Sequence, residues 1–289
     1  MTEERSTVRS RQLGYALRSA MTKAGLTGKS TASMLDWSES RVSRFLTGKL
    51  PATEVEVASM AAVFGVTGAE RDRLLYLTRD QVKSSWPHPE QRRTLADHQY
   101  RATRITEFSA LTVPALLQTA DYASSVFART VTIQADEVES LVAGRIAGQR
   151  VFDHEQPPQS LFFINDAALR LPVGSKEAMS TQLHHLLSMT VRSHIAVRVI
   201  PTAAGAHAGL AGSCCLMEFA EFGPVVALQH ETGGHFLEDP ADVAVHEKIF
   251  SSLAAVALGK AESHQLIRRL AVDVFGPTAR NTTAQGQRM

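Results

Sequence analysis

Serine, arginine and lysine side chains recur at helical spacing between residues 38 and 49, and they carry the chemistry that DNA recognition requires. Arginine and lysine bind phosphate oxygens, and arginine also pairs with guanine through two hydrogen bonds. Serine hydroxyls and carboxylates add further hydrogen bonds. The polar side chains are Ser38, Glu39, Ser40, Arg41, Ser43, Arg44 and Lys49, with Lys29 shortly before them. This pattern predicts a binding surface for double-stranded DNA.

Two short helices joined by a tight turn are needed to position these side chains. The pattern predicts a first helix over residues 28–35, and a turn at Asp36, because short polar side chains tolerate left-handed backbone angles. Ser38 is a favoured N-cap for the second helix, and Gly48 is a favoured residue for its end. The inward-facing residues of the second helix are Val42, Phe45 and Leu46. A helix-turn-helix reader of the major groove has this layout.

Positive charge is concentrated in the first fifty residues. Residues 5–50 contain nine basic and two acidic side chains, a net charge of +7, whereas the whole chain carries +1. The basic residues are Arg5, Arg9, Arg11, Arg18, Lys23, Lys29, Arg41, Arg44 and Lys49. A local basic patch favours phosphate binding over the alternative, a structural helical hairpin with a solvated basic face.

The flanking sequence predicts a complete all-α domain over residues 8–83. Apolar residues recur at helical spacing from Leu13 onward, and Gly25 supplies a stop. Two capping-box pairs, Thr53 with Glu56 and Thr67 with Glu70, open further helices. We therefore expect five short helices.

Residues 10–80 resemble an Xre-type helix-turn-helix domain, the class of the phage repressors and Cro. Two positions depart from that pattern, since Thr31 replaces the usual leucine and Asp36 replaces the usual turn glycine. The resemblance implies that Glu39, Ser40 and Arg44 face bases. It also implies that Lys29, Ser38, Ser43 and Lys49 face the DNA backbone, with Arg41 suited to either role.

A second, larger domain is predicted after the first. Residues 84–99 break the helical pattern around Trp86-Pro-His-Pro and are interpreted as a connector. Residues 100–275 mix helical and strand patterns, which predicts an α+β domain with a small antiparallel or mixed sheet. Residues 276–289 are polar up to the final methionine and are predicted to be disordered.

The second domain resembles a domain of unknown function found in many actinobacterial Xre-type regulators. The matching stretches are Val113-Pro-Ala-Leu-Leu-Gln-Thr-Ala-Asp-Tyr-Ala, Val197-Arg-Val-Ile-Pro, Gly205-Ala-His-Ala-Gly and Leu266-Ile-Arg-Arg-Leu. Such regulators are described as antitoxin-like, and they often have a neighbouring gene for a small partner protein. The resemblance supplies no catalytic residues.

No pattern in the chain favours an enzyme or a cofactor. Walker and dinucleotide-binding motifs and the Gly-x-Ser-x-Gly elbow are absent. His230 and His235, with His207 as a third ligand, do not have the spacing of a zinc site. Cys214 and Cys215 are adjacent, so we expect core residues and no disulfide between them. We expect no metal, no cofactor and no catalysis.

Small residues dominate positions 203–212, a segment that includes Gly205, His207 and Gly209. This segment is a candidate loop for a ligand or partner, and its alternative is a mobile connector.

The leading hypothesis is a cytoplasmic, sequence-specific transcriptional regulator. We expect it to bind an operator as a homodimer and to respond to a small partner protein or metabolite through its second domain. The alternative is an antitoxin-like interaction module that neutralises a small partner. The chain has no run of 18 apolar residues, so no membrane span is expected.

Overall fold

The computed structural model of the protein describes residues 6–78 and 85–275. Residues 79–84, where the predicted connector begins, and the predicted disordered tail 276–289 lie outside this description. The chain divides into two compact units. The first contains the chain up to Ala102 together with Leu216–Val245, and the second contains Thr103–Cys215 and the chain from His246.

The first unit begins with five helices, as predicted. They are α1 (Val8–Lys23), α2 (Gly28–Leu35), α3 (Glu39–Leu46), α4 (Glu54–Val63) and α5 (Gly68–Thr78). Hydroxyl side chains cap four of them, since Thr7, Thr27, Ser38 and Thr53 each accept a hydrogen bond from the first helical turn. The shared core of these helices contains Leu17, Val42, Phe45, Met60 and Leu74, which are all buried.

Local backbone geometry also follows the prediction in the turn between α2 and α3. Asp36 adopts left-handed angles, with φ at 52° and ψ at 43°, and ends α2. Gly48 has φ at 67° just beyond α3, a conformation that glycine adopts at little cost. These two residues therefore set where the two short helices stop.

The predicted connector at 84–99 is corrected by the structure. Strand β1 covers Ser85–Pro87, and helix α6 follows over His88–Arg101. Pro89 lies in the first turn of α6, where a backbone N–H has no partner within the helix, so it does not break the helix. Glu90 then binds the Arg73 guanidinium at 2.7 and 2.8 Å, which ties α6 to α5.

Residues 216–245 also belong to the first unit, although the predicted limits placed them in the second domain. They include β6 (Val225–His230) and β7 (Gly233–Leu237), which form an antiparallel hairpin. Strand β1 pairs with β7, with Trp86 opposite Gly234. The strand order here is β1-β7-β6.

The second unit contains three parallel strands in the order β2-β3-β4. They are β2 (Arg104–Ser109), β3 (Gln159–Asn165) and β4 (Ile195–Ile200). The helices of this unit are α7 (Ala120–Phe127), α8 (Val138–Gly148), α9 (Asp166–Arg170), α10 (Lys176–Met189) and α12 (Lys260–Arg269), followed by a π-helix over Leu270–Val274. Helical connections between successive strands make the parallel arrangement feasible.

Strand β5 (Cys214–Glu218) and helix α11 (Pro240–Val256) each include residues of both units. The fold is therefore α+β with an N-terminal helical region, as the sequence predicted.

Candidate nucleic-acid interface

Helix α3 presents a polar face because its apolar residues recur every three to four positions. Val42, Phe45 and Leu46 are 0%, 2% and 6% exposed and pack into the unit. Ser38 fixes the start of the helix, since its hydroxyl accepts a hydrogen bond from the Arg41 N–H at 3.2 Å. The remaining side chains of the predicted interface on this helix, Glu39, Ser40, Arg41, Ser43 and Arg44, are all exposed.

An open groove of about 430 Å³ runs beside α3. Four of the predicted site residues line it together, namely Lys29, Glu39, Ser40 and Ser43. The other lining residues are Arg18, Met21, Gly28 and Leu46. Ser38, Arg41, Arg44 and Lys49 are exposed but do not line this groove. The structure thus brings half of the predicted residues into one concave surface.

Arg18 also lines the candidate interface, although the sequence pattern marked it only as part of the positive charge. Its guanidinium Nη2 donates to the Leu46 carbonyl oxygen at 3.3 Å, which holds it beside the end of α3. Helix α1 can approach there because a β-carbon at Gly14 would lie 2.8 Å from that same carbonyl oxygen. The sequence did contain a signal for this contact: Gly14 interrupts a helical pattern, which indicates a close approach of another segment, and Arg18 follows one turn later.

Arg41 is held within the domain. Its Nη2 lies 2.5 Å from the Glu56 carboxylate, and its guanidinium lies 4.6 Å from the centre of the Trp37 ring. Burial raises the pKa of Glu56, but hydrogen bonds from Thr53 and Arg41 outweigh it, so the pKa lies below its usual value. These contacts tie α3 to α4, and the two roles left open for Arg41, a base contact or a DNA-backbone contact, stay predictions.

Two arginines of the predicted basic patch are not on the surface. Arg9 and Arg11 are only 3% and 4% exposed. Arg9 lies over the Tyr76 ring, and Arg11 pairs with Glu238 at 2.8 Å. The charge count failed here because composition does not report burial. Among the residues of this region that the structure describes, from Ser6 onward, the exposed basic ones are Arg18, Lys23, Lys29, Arg41, Arg44 and Lys49.

Thr31 is fully buried in α2, at the position where the resemblance predicted leucine. Its hydroxyl oxygen has no hydrogen-bond partner among the described residues. Burying an unpaired hydroxyl destabilises a domain, so this departure from the pattern carries an energetic cost.

The candidate ligand loop at 203–212 is short of helix and strand but contains regular turns. It contains two 3-10 turns, Thr202–Ala204 and Ala208–Ala211. Gly209 is buried against the Phe108 ring, where a β-carbon would overlap the aromatic carbons. His207 packs edge-on against the same ring at 5.8 Å between centroids, whereas Gly205 is exposed.

Metal-binding groups do not gather in the part of the chain that the structure describes, where no three His, Cys, Asp or Glu side chains form a candidate site. His230 ends β6 and His235 lies in β7, with 5.5 Å between ring centroids. Cys214 and Cys215 are buried, and the structure does not join them in a disulfide. Burial, with a smaller contribution from Glu107, raises the pKa of the Cys214 thiol to about 12, so the thiol stays protonated.

Helices α2 and α3, their turn and the groove beside them define a helix-turn-helix protein. Residues 12–74 match the helix-turn-helix domain family, and residues 92–269 match a domain of unknown function, DUF5753. Because the second match covers more than half of the chain, the protein belongs to the DUF5753 family. No curated protein and no solved structure matched the chain.

The resemblance to a helix-turn-helix regulator with a C-terminal domain of unknown function is therefore confirmed, and the chain is a DNA-binding regulator. No helix within the described residues is long and apolar enough to cross a membrane.

Proposed function

We propose that the protein is a sequence-specific transcriptional regulator that binds double-stranded operator DNA as a homodimer in the cytoplasm. The observation that carries this proposal is the groove where Lys29, Glu39, Ser40 and Ser43 meet at the exposed face of α3. Lys29 supplies positive charge for phosphate, while Glu39 and Ser40 are at the N-terminal end that enters the major groove in this class. No catalytic role is assigned to the chain.

Base reading is assigned to Glu39, Ser40 and Arg44. Each lies on α3 with an exposed side chain, so docking needs no unfolding of the helix. Phosphate contacts are assigned to Lys29, Ser38, Ser43 and Lys49, with Arg18 added from the structure. A dimer is proposed because one such helix reads only a few base pairs, and two copies about 34 Å apart span one turn of DNA.

The regulatory part of the proposal rests on the segment 216–245. By sequence it belongs to the DUF5753 match, but it packs with the helix-turn-helix unit. Glu238 of this segment accepts a hydrogen bond from the Val8 N–H at 2.7 Å and pairs with Arg11. The neighbouring Ser10 hydroxyl donates to the Gly48 carbonyl oxygen at 2.8 Å, directly after α3. A signal that moves this segment would therefore change the contacts of the start of α1, which in turn contacts the residues just after α3.

The test is selection of bound duplexes from a random DNA library with the full chain. We expect an enriched inverted repeat, bound by a dimer in sedimentation, and preference lost at one position in Arg44→Ala. Arg129→Ala, an exposed arginine in the second unit, is the matched control. No enrichment over the starting library would refute sequence-specific binding, and a monomer with and without DNA would refute the dimer.

A second candidate is an antitoxin-like module that neutralises a small partner protein. Helix α8 supports it, because no residue of α8 is buried although the helix contains Val138, Leu141, Val142 and Ile146. The two functions separate in one experiment. If Arg44→Ala loses DNA binding but still neutralises a co-expressed neighbouring gene product, neutralisation does not depend on DNA reading.

A further inference from the structure

The carboxyl ends of three parallel strands meet at one edge of the second unit. Strands β2, β3 and β4 end at Ser109, Asn165 and Ile200. Open sheets with parallel strands bind ligands at this edge, because the strand connections form a crevice there. The connections after these strands therefore decide whether a site exists.

The three connections contact one another. The ring of His207, after β4, packs edge-on against Phe108, near the end of β2. The Thr202 hydroxyl, also after β4, donates to the Asp166 carboxylate after β3 at 3.0 Å. The Ser213 hydroxyl accepts from the Ala110 N–H at 3.0 Å. These contacts hold the edge together as one surface.

Each connection also exposes a leucine. Leu111 follows β2, Leu171 follows β3 and α9, and Leu210 follows β4, with exposed fractions of 63%, 48% and 69%. A single exposed leucine needs no explanation, but each of the three connections at this edge carries one, so apolar surface is available beside its polar groups.

The polar centre has more hydrogen-bond donors than acceptors. The Gly209 N–H donates to His207 Nδ1 at 3.1 Å, and Asn165 Nδ2 lies 3.3 Å from His207 Nε2. Rotating the Asn165 amide by 180° would break a hydrogen bond, because its Oδ1 accepts from the Ala167 N–H at 2.9 Å. A neutral imidazole accepts at only one nitrogen and carries a proton on the other.

One donor is consequently left over. When Nδ1 accepts from Gly209, the proton is on Nε2 and faces the Asn165 amide protons. The His207 Nε2–H and the Asn165 Nδ2–H are then two donors on nitrogens 3.3 Å apart, and neither can accept from the other. An oxygen placed there receives two hydrogen bonds, and both residues are partly exposed, so the region is accessible from solvent.

We propose that this edge binds a small molecule with an acceptor oxygen, a carboxylate or a carbonyl, on an apolar body. The oxygen accepts from Asn165 Nδ2 and His207 Nε2, and the body lies on Leu210, Leu111 and Leu171. The inference deepens the proposed function, since it rests on the proposal that a signal acts on DNA binding through the C-terminal domain, and it names a chemical class for that signal.

The test measures binding without DNA, so its result is independent of the DNA-binding proposal. Full-length protein with ¹⁵N-labelled histidine is titrated with octanoate, 2-octanone and octylamine, which present a carboxylate, a carbonyl and no acceptor oxygen. We expect octanoate or 2-octanone to shift the His207 ring signals saturably and octylamine to leave them unchanged. The two positive probes distinguish a charged from a neutral ligand.

Two variants locate the site. Asn165→Asp keeps the oxygen that caps α9 but removes the Nδ2 donor, and we expect it to weaken octanoate binding about tenfold or more. Leu210→Ser removes exposed apolar surface and is expected to weaken binding about threefold or more. Val131→Ser, 87% exposed and elsewhere in the unit, is the control. No saturable shift with either oxygen-bearing probe, equal shifts with octylamine, or unchanged affinity in both variants would overturn the proposal.

Discussion

The carboxylate of Glu238 pairs with the guanidinium of Arg11 at 2.8 Å, although 227 residues separate them in the chain. Arg11 is buried and also lies 4.0 Å from the centre of the Phe222 ring. Two side chains from segment 216–245 therefore contact the buried arginine of helix α1, one through an ion pair and one through its aromatic ring. Arg11 alone in this position would be a buried charge with little compensation.

Removing the carboxylate tests this contact. Glu238→Ala leaves the Val8 N–H and the Arg11 guanidinium with fewer partners, so we expect it to lower the free energy of unfolding by about 1–3 kcal/mol. Operator affinity should fall as well, because Ser10, next to Arg11, binds the end of α3 through Gly48. Urea denaturation and DNA titration measure the two effects. Glu155→Ala, at an exposed position, should change neither; equal behaviour of the two variants would contradict the contact.

His98 makes stability depend on pH. Burial lowers its pKa from 6.5 to about 3, with smaller contributions from the charges of Arg11 and Arg101. The unfolded chain takes up this proton below pH 6.5, whereas the folded chain stays neutral until about pH 3. Stability from this group is thus complete above pH 6.5 and lost as the pH falls towards 3.

Between pH 7 and pH 5 we expect His98 to account for a loss of about 2 kcal/mol. His98→Gln cannot titrate, so its unfolding free energy should vary less over this range, as measured by denaturation at each pH. His184→Gln, on an exposed part of α10, should keep the wild-type slope. A slope unchanged in His98→Gln would mean that His98 is protonated in the folded protein.

Thr31→Val is expected to stabilise the protein. Valine has nearly the shape of threonine and removes a buried hydroxyl that has no partner within residues 6–78 and 85–275, so we expect a gain of about 1 kcal/mol. Thermal unfolding measures it. Thr112→Val, at an exposed position, should stay within about 0.5 kcal/mol of wild type. A loss of stability at position 31 would show that the hydroxyl is hydrogen-bonded in solution.

Gly209→Ala is expected to destabilise the second unit by about 1–3 kcal/mol, because the added methyl group overlaps the Phe108 ring. Gly144→Ala is the matched control. Gly144 lies in α8, and a β-carbon added there meets nothing within 4 Å. Alanine there should be neutral or stabilising by up to about 1 kcal/mol. Denaturation curves of both variants decide the point; a neutral Gly209→Ala would show that the loop does not pack on Phe108.

Base and phosphate contacts differ in their response to salt. We expect Arg44→Ala to cost about 1–3 kcal/mol on the selected operator and to relax preference at one position. Lys49→Ala should weaken all sequences similarly and reduce the slope of affinity against salt by about one. Titrations at several salt concentrations, on operator and scrambled duplexes, separate these outcomes. Preference that survives Arg44→Ala would remove this residue from base reading.

The helix-turn-helix was predictable because its signals are local. The Ser38 cap, the turn at Asp36 and the stop at Gly48 depend on neighbours within a few residues, and all three occur as predicted. The helix at 88–101 was missed because two prolines imitate a break, while the residue that ties it to the unit, Arg73, is distant in sequence.

In the candidate sites, too, features that depend on local sequence were predictable and those that depend on distant contacts were not. Exposed polar residues of α3 follow from helical periodicity, but the burial of Arg9 and Arg11 depends on partners such as Tyr76 and Glu238 that no spacing reveals. The donor excess at His207 depends on where the chain places Asn165, forty-two residues earlier. Side-chain pairs that join distant segments need the fold to be known.

The pairing of Arg11 with Glu238 also has a consequence for synthesis on the ribosome. The five helices of the helix-turn-helix region are made first, but Glu238, which pairs with the buried Arg11, emerges 227 residues after it. A nascent or prematurely terminated chain therefore carries an unfinished first helix. We therefore expect a chain that ends before Glu238 to bind an operator less tightly than the full chain, because a buried charge without its partner destabilises the fold.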